Sequence, residues 1–273
     1  MARYTGPVID THVHLELDEG MRTPGMPPHG PDRYYEAAAG LDLRAAAALV
    51  MAPKGDLDRT RTMNDLALDL SRTDSRWLPL CSVHPFDEKL ALEEIDRVAE
   101  AGARGFKLHP NTQSFDLGDP RVARVVERIA GHGLPVLFDG YSPFDANQPG
   151  KFVQLSVDHP DARIIIAHAY GPRFLELIVF EALGRFPGFW TPNVWVDLSF
   201  SGNLFAGSPY AEQFAWAVRQ VGVDRLLLGS DYPLESPVEA LGAVEELGFT
   251  DDEVRMIAHD NAAALFGLDP AKE

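Results

Sequence analysis

Val8-Ile9-Asp10-Thr11-His12-Val13-His14-Leu15 runs from apolar, β-favouring residues into two histidines and then into a polar loop. Side chains along a strand alternate faces, so His12 and His14 share a face at a strand's end. Two neutral imidazoles held by rigid backbone suit a borderline metal such as zinc. On this segment alone a hydrogen-bonded polar rim fits equally well.

Outward from this stretch the same pattern recurs. Apolar β-rich runs fall at Pro7–His14, Ala46–Ala52, Trp77–Val83, Gly105–His109, Pro135–Asp139, Arg163–His168, Val194–Phe200 and Leu226–Ser230. Helical periodicity fills the gaps at Leu57–Ser71, Glu88–Ala101, Pro120–Gly131, Phe152–Asp158, Phe174–Arg185 and Tyr210–Val221, and continues in Pro237–Leu247 and Asp251–Phe266. Asp119-Pro120 reads as a cap followed by proline at the first helical position, with Gly131 and Gly133 marking the exit. Strands alternating with helices call for parallel pairing through right-handed crossovers. Eight such units in 273 residues predict a single-domain (β/α)8 barrel rather than an open sheet.

The first crossover is longer and richer in Gly, Pro and Met than the rest. Leu17–Pro31 follows the first strand, so it is expected to cover the barrel mouth as a lid or pocket wall. His29 within it is expected to be solvent-exposed. His132, His159 and His259 fall in helix-terminal, loop and last-helix positions and carry no site expectation.

A formal net charge of -17 argues against nucleic-acid or anionic-membrane partners, which would repel the chain. One cysteine, Cys81, excludes an intramolecular disulfide and a thiolate metal cluster, and its apolar surroundings predict a buried core residue. With neither a signal-peptide pattern nor an apolar stretch long enough to span a bilayer, a cytoplasmic location is the expectation.

Catalytic residues of this barrel type stand at the carboxyl ends of strands. There the sequence places His84 (third strand), Lys107 and His109 (fourth), Asp139 (fifth), His168 (sixth) and Asp231 (eighth), each behind apolar residues. Burying such groups without partners or a metal is costly.

These motifs resemble the amidohydrolase superfamily, in particular its amidohydrolase-related branch of TIM-barrel metal hydrolases and aminocarboxymuconate-semialdehyde-type decarboxylases. The resemblance covers nearly the whole chain. It rests on Ile9-Asp10-Thr11-His12-Val13-His14, Gly105-Phe106-Lys107-Leu108-His109-Pro110, Leu134-Pro135-Val136-Leu137-Phe138, Ile164-Ile165-Ile166-Ala167-His168, Leu228-Gly229-Ser230-Asp231-Tyr232-Pro233 and Asn261-Ala262-Ala263-Ala264-Leu265-Phe266-Gly267-Leu268. It implies a distorted amidohydrolase-type barrel with one divalent metal, zinc first and manganese or iron as alternatives. His12, His14 and Asp231 would be ligands. Asp231 would also take a proton from the attacking water, and His168 would act as acid/base or as a further ligand. Lys107 would meet a substrate carboxylate or serve as an ion-pair partner inside the mouth.

One position departs from the pattern. The fifth strand of such proteins usually ends in histidine, and here it ends in Asp139. An aspartate oxygen can ligate zinc or manganese, shifting preference toward a harder metal; alternatively Asp139 orients substrate. The expectation is retained metal binding by His12, His14, Asp139 and Asp231. The expected reaction is hydrolysis of an amide, lactone or ester of a small molecule. Non-oxidative decarboxylation of an aromatic or unsaturated acid is the alternative, and a catalytically silent, metal-free binding protein the third. Lys107, His109, Tyr141 and Arg173 are the candidate substrate-binding residues. Phe115, Phe144, Asn147 and Phe205 line further loops as pocket or packing residues. Phe186, Phe189, Trp190 and Trp195, around the sixth crossover, cover the barrel or form a homodimer interface.

Overall fold

A computed structural model describes residues 4–22 and 25–268. Thr23 and Pro24, within the long first loop, lie outside the described residues. Eight parallel strands pair in sequence order: β1 (Pro7–His14), β2 (Asp42–Leu49), β3 (Trp77–Cys81), β4 (Gly105–Leu108), β5 (Pro135–Phe138), β6 (Arg163–Ile166), β7 (Val194–Asp197) and β8 (Leu226–Leu227). The barrel closes where β1 meets the segment after β8, through Thr11 N to Leu228 O (2.9 Å), Asp231 N to His12 O (2.8 Å) and His14 N to Tyr232 O (2.8 Å).

Helices follow the strands: α1 (Pro31–Ala37), α2 (Leu57–Thr73), α3 (Lys89–Glu100), α4 (Pro120–Gly131), α5 (Gln148–Asp158), α6 (Ile178–Gly184), α7 (Ser201–Phe205), α8 (Ala211–Arg219) and α9 (Pro237–Glu246), with α10 (Asp251–Arg255) and α11 (Asn261–Phe266) joined by a π-helical turn. Their starts follow local chemistry. Asp119 caps α4 by accepting from Arg121 N, and Ser236 with Glu239 forms a reciprocal capping box on α9. None of the described helices is long and apolar enough to cross a membrane.

Strand alternation sorts the side chains into two layers. Ile9, Ala45, Ala47, Leu78, Leu80, Leu137, Ile165 and Leu227 form one apolar cluster inside the barrel, closed below by Ala262, Ala263, Leu265 and Phe266 of α11. Their neighbours along the strands, such as Phe106, Val136, Ile164 and Val196, pack outward in the large cluster beneath the helices. Stepping two residues up from Leu137 reaches Asp139, and from Leu227 Gly229, so the inner face turns polar at its upper rim.

In β1 that alternation is broken once. Asp10 pairs with Ala46 and Val13 with Ala48, so three steps on β1 oppose two on β2, which is a β-bulge. Ile9 faces inward below the bulge. Above it Val13 packs outward with Tyr34, Ala46, Ala48 and Trp77, which leaves His12 and His14 on the inner face.

Several expectations need correction. β2 begins at Asp42 rather than Ala46. β7 ends at Asp197 rather than Phe200, and the sixth strand ends two residues before His168. The first loop ends where α1 begins, with Pro31 in the first turn of the helix. It docks on α2 through Asp18, which accepts two hydrogen bonds from Arg59 (2.6 and 2.7 Å), and through Leu17 and Met21. His29 is 1% exposed, with Nδ1–H donating to Pro27 O at 2.8 Å. Trp195 packs against the inner cluster, apart from the exposed Phe186 and Phe189. Phe115 and Phe205 are packing residues, Phe205 stacking on Phe214 at 4.8 Å, whereas Phe144 is open to solvent.

Asp10 pins the closure. Its carboxylate accepts from His12 N (3.1 Å), Ser230 N (2.9 Å), Ser230 Oγ (2.6 Å) and Tyr34 Oη (3.0 Å). Burial nevertheless raises its pKa from 3.8 to about 6. The folded chain therefore keeps a proton that the unfolded chain releases above pH 3.8. The associated stability is complete below pH 3.8 and declines as pH rises to about 6, by roughly 3 kcal/mol. Asp10→Asn, which preserves shape, should lose this slope. Urea midpoints at pH 4.5 and 7 check it, and identical slopes in parent and variant would refute it.

Candidate metal centre

At the barrel mouth three donor atoms lie in mutual contact. His12 Nε2 is 3.2 Å from His14 Nε2, and both are 3.4 Å from Asp231 Oδ1. His168 joins them: donor atoms of His12, His168 and Asp231 all lie within 4.8 Å of one another. The β1 bulge supplies the first two residues. His168 comes from a run of three non-glycine residues at positive φ, His168, Ala169 and Tyr170, which is costly backbone for L-residues. Ser201 Oγ secures that run by donating to His168 O at 2.6 Å.

Asp139 stands one hydrogen bond further out. Its Oδ1 is 3.3 Å from His168 Nε2. Its Oδ2 is buried without a hydrogen-bond partner among the described residues. The nearby His109 Nδ1, at 3.5 Å, accepts from Thr112 N and so carries no proton to offer that oxygen. Lys107, buried on the inner face of β4, places Nζ 3.2 Å from His12 Nε2.

The electrostatics separate into bases and an acid. Burial would raise the Asp231 carboxyl, but His12, His14 and His168 override it and hold it far below the usual range. Burial would lower His168, but its hydrogen bond to Asp139 and the charges of Asp231, Asp139 and Asp197 raise it. Both its ring nitrogens face acceptors: Asp139 at Nε2, and the carbonyl (3.3 Å) and hydroxyl (3.0 Å) of Ser199 at Nδ1. Burial and the Lys107 charge push His12 down, burial lowers His14, and burial lowers His109 to about 4. Burial also lowers Lys107, against the pull of Asp139, Asp231 and Asp197.

Other candidates lie elsewhere. His84 is held by Gln113 O (2.6 Å) and Phe86 N (3.1 Å), both nitrogens serving the β3 turn. Arg173 is tied to Glu176 and to the carbonyls of Asp145 and Ala146, so it tethers the loop after β5. Tyr141 packs over Gly171. The sequence analysis missed Asp197, whose Oδ2 is 2.6 Å from His12 Nδ1, and Ser199 beside it. The signal was there: a carboxylate inside the apolar run Val194-Trp195-Val196-Asp197 needs a partner.

The donor set fits a divalent cation. Imidazoles and a carboxylate converge, and beside them Asp139 keeps a buried oxygen without a hydrogen-bond partner among the described residues.

Known proteins share the family and the fold. An amidohydrolase family model matches residues 9–268. No curated protein sequence matches. Among solved structures, a candidate 2-pyrone-4,6-dicarboxylic acid hydrolase from Pseudomonas putida is 22% identical with a TM-score of 0.69, covering 95% of this chain and 97% of that one. A dihydroxybenzoic acid decarboxylase from Polaromonas sp. JS666 with bound manganese is 15% identical, TM-score 0.72, covering 98% and 99%. The 5-carboxyvanillate decarboxylase from Sphingomonas paucimobilis is 17% identical, TM-score 0.65, covering 96% and 99%. A parallel eight-stranded barrel with polar residues at its strand ends defines a TIM-barrel protein with its site at the mouth. The chain belongs to the amidohydrolase superfamily and is an enzyme of that superfamily.

Proposed function

We propose that the chain is a metal-dependent hydrolase acting on an amide, lactone or ester of a small carboxylated molecule. One observation carries this: the donor atoms of Asp231 and His168 converge with His12 within 4.8 Å of one another, the carboxyl held below its usual range and the imidazole raised above its own. Hydrolysis needs that division of labour, and groups pushed apart in pKa mark it. His12, His14 and Asp231 would hold the cation, with His168 or Asp139 completing the set; zinc is the first choice and manganese or iron the alternative. Bound there, the cation would polarise a carbonyl and make water more acidic. Lys107 anchors a substrate carboxylate with its ammonium group. Asp231 accepts the proton of the attacking water. His168, oriented by Asp139 and Ser199, protonates the leaving group.

Lys107 beside a proton donor also favours a second reading, decarboxylation of an unsaturated acid, in which His168 protonates carbon. Metal analysis of chelator-free protein, followed by a panel of lactones, esters, amides and aromatic acids with zinc or manganese, tests both. We expect about one divalent ion per chain and acid release without carbon dioxide. Carbon dioxide release would replace hydrolysis by decarboxylation. Failure to bind metal after reconstitution would overturn both and leave the binding-protein reading.

A further inference from the structure

We propose that Asp197 is a positioning residue that fixes the tautomer of His12, turning the Nε2 lone pair into the cavity; this rests on reading the site as a metal centre. Asp197 is fully buried at the top of β7. Its Oδ2 accepts from His12 Nδ1–H at 2.6 Å, and its Oδ1 accepts from Ser199 N at 2.6 Å. With both oxygens committed, the carboxylate has one orientation.

The choice of tautomer matters because a competitor faces the other nitrogen. Asp231 Oδ1 lies 3.4 Å from His12 Nε2. A proton there would satisfy Asp231 and remove the lone pair a cation needs. The shorter contact to Asp197 pulls the proton to Nδ1. Carboxylates that orient ligand histidines in this way alter metal affinity without touching the metal.

The surrounding structure makes room for the pair. A Cβ on Gly229 would lie 2.5 Å from Asp197 Oδ1 and 2.9 Å from His12 Cβ. Only a residue without a side chain lets the segment after β8 pass beside this contact. Ser199 extends the link, its Oγ lying 3.3 Å from His12 Nδ1 and 3.0 Å from His168 Nδ1. Thus the end of β7 and the turn after it, which place no group in the converging set, orient two imidazoles, one on β1 and one just past β6.

Asp197→Asn separates this role from a merely structural one. An amide has one oxygen for the two donors now bound, and an NH2 group turned to His12 would force the proton onto Nε2. Imidazole 15N NMR of the metal-free full chain reads the tautomer directly. Competition against a chromogenic chelator reads zinc and manganese affinity. The expected parent signature is Nδ1–H at His12; D197N should shift it toward Nε2–H and weaken metal binding by about 10–100-fold. Ser199→Ala should move the His168 resonances and leave the His12 tautomer in place. An Nε2–H signature in the parent overturns the proposal without any variant. So does D197N with an unchanged tautomer or with affinity within twofold of the parent. If the parent binds no metal, the metal reading falls, while the NMR comparison still decides the role of Asp197.

Discussion

Asp231→Asn is expected to reduce turnover by about 10²–10⁴-fold while the protein melts as the parent does. Asp231 sits at φ 57°, where asparagine is among the few residues tolerated. Its backbone N–H to His12 O, 2.8 Å long and part of the barrel closure, does not involve the side chain. What the substitution removes is the carboxylate charge beside His12, His14 and His168, and with it the base and metal ligand proposed above. Kinetics on the substrate found in the panel, with metal content measured alongside, check this. A D231N enzyme retaining half the parent's turnover would exclude Asp231 as the proton acceptor.

The largest expected stability effect comes from a residue beside the site. A Cβ on Gly140 would lie 2.1 Å from the backbone oxygen of Ala167 and 2.6 Å from Ile166 Cγ2. Backbone cannot swing aside as a flexible side chain can, so the tops of β5 and β6 must separate. Gly140→Ala should cost about 3 kcal/mol or more, lowering the melting temperature by roughly 6–12 °C. Because Asp139 precedes Gly140 and His168 follows Ala167, the same strain should lengthen the Asp139–His168 contact. A melting point within 2 °C of the parent, on the scale of an effect below about 1 kcal/mol, would show that the strands yield cheaply.

Strands and helices were legible where apolar runs were bounded by strong punctuation. α4 matches its expected bounds because Asp119-Pro120 and the following glycines mark both ends. β2 was placed late because Asp42 and Arg44 read as loop. At the barrel's lower edge their charged ends reach water and pair with each other at 2.9 Å. α1 was missed because the stretch between Pro31 and Ala46 showed no clear pattern, although Gly30-Pro31 is a helix start.

The site divides similarly. That His12 and His14 share a face follows from alternation. Which face they take does not, because strict alternation from the buried Ile9 would turn them outward. Asp197 was obscured by extending β7 to Phe200, which made it look like mid-strand rather than strand end. His168 was found, but its left-handed backbone has no signature in Ala167-His168-Ala169-Tyr170.

The bulge in β1 is what reconciles an odd spacing with a shared face. Ile9 and His12 stand three residues apart and both point inward, which regular pairing forbids. A sister chain shorter by one residue between them would need no bulge here, and both imidazoles would still face inward. A sister chain of the same length that paired regularly with β2 would keep every donor and yet turn both imidazoles beneath the helical shell. When chains of this kind are aligned, a one-residue gap there therefore marks the loss of the bulge and leaves the facing of the two histidines unchanged.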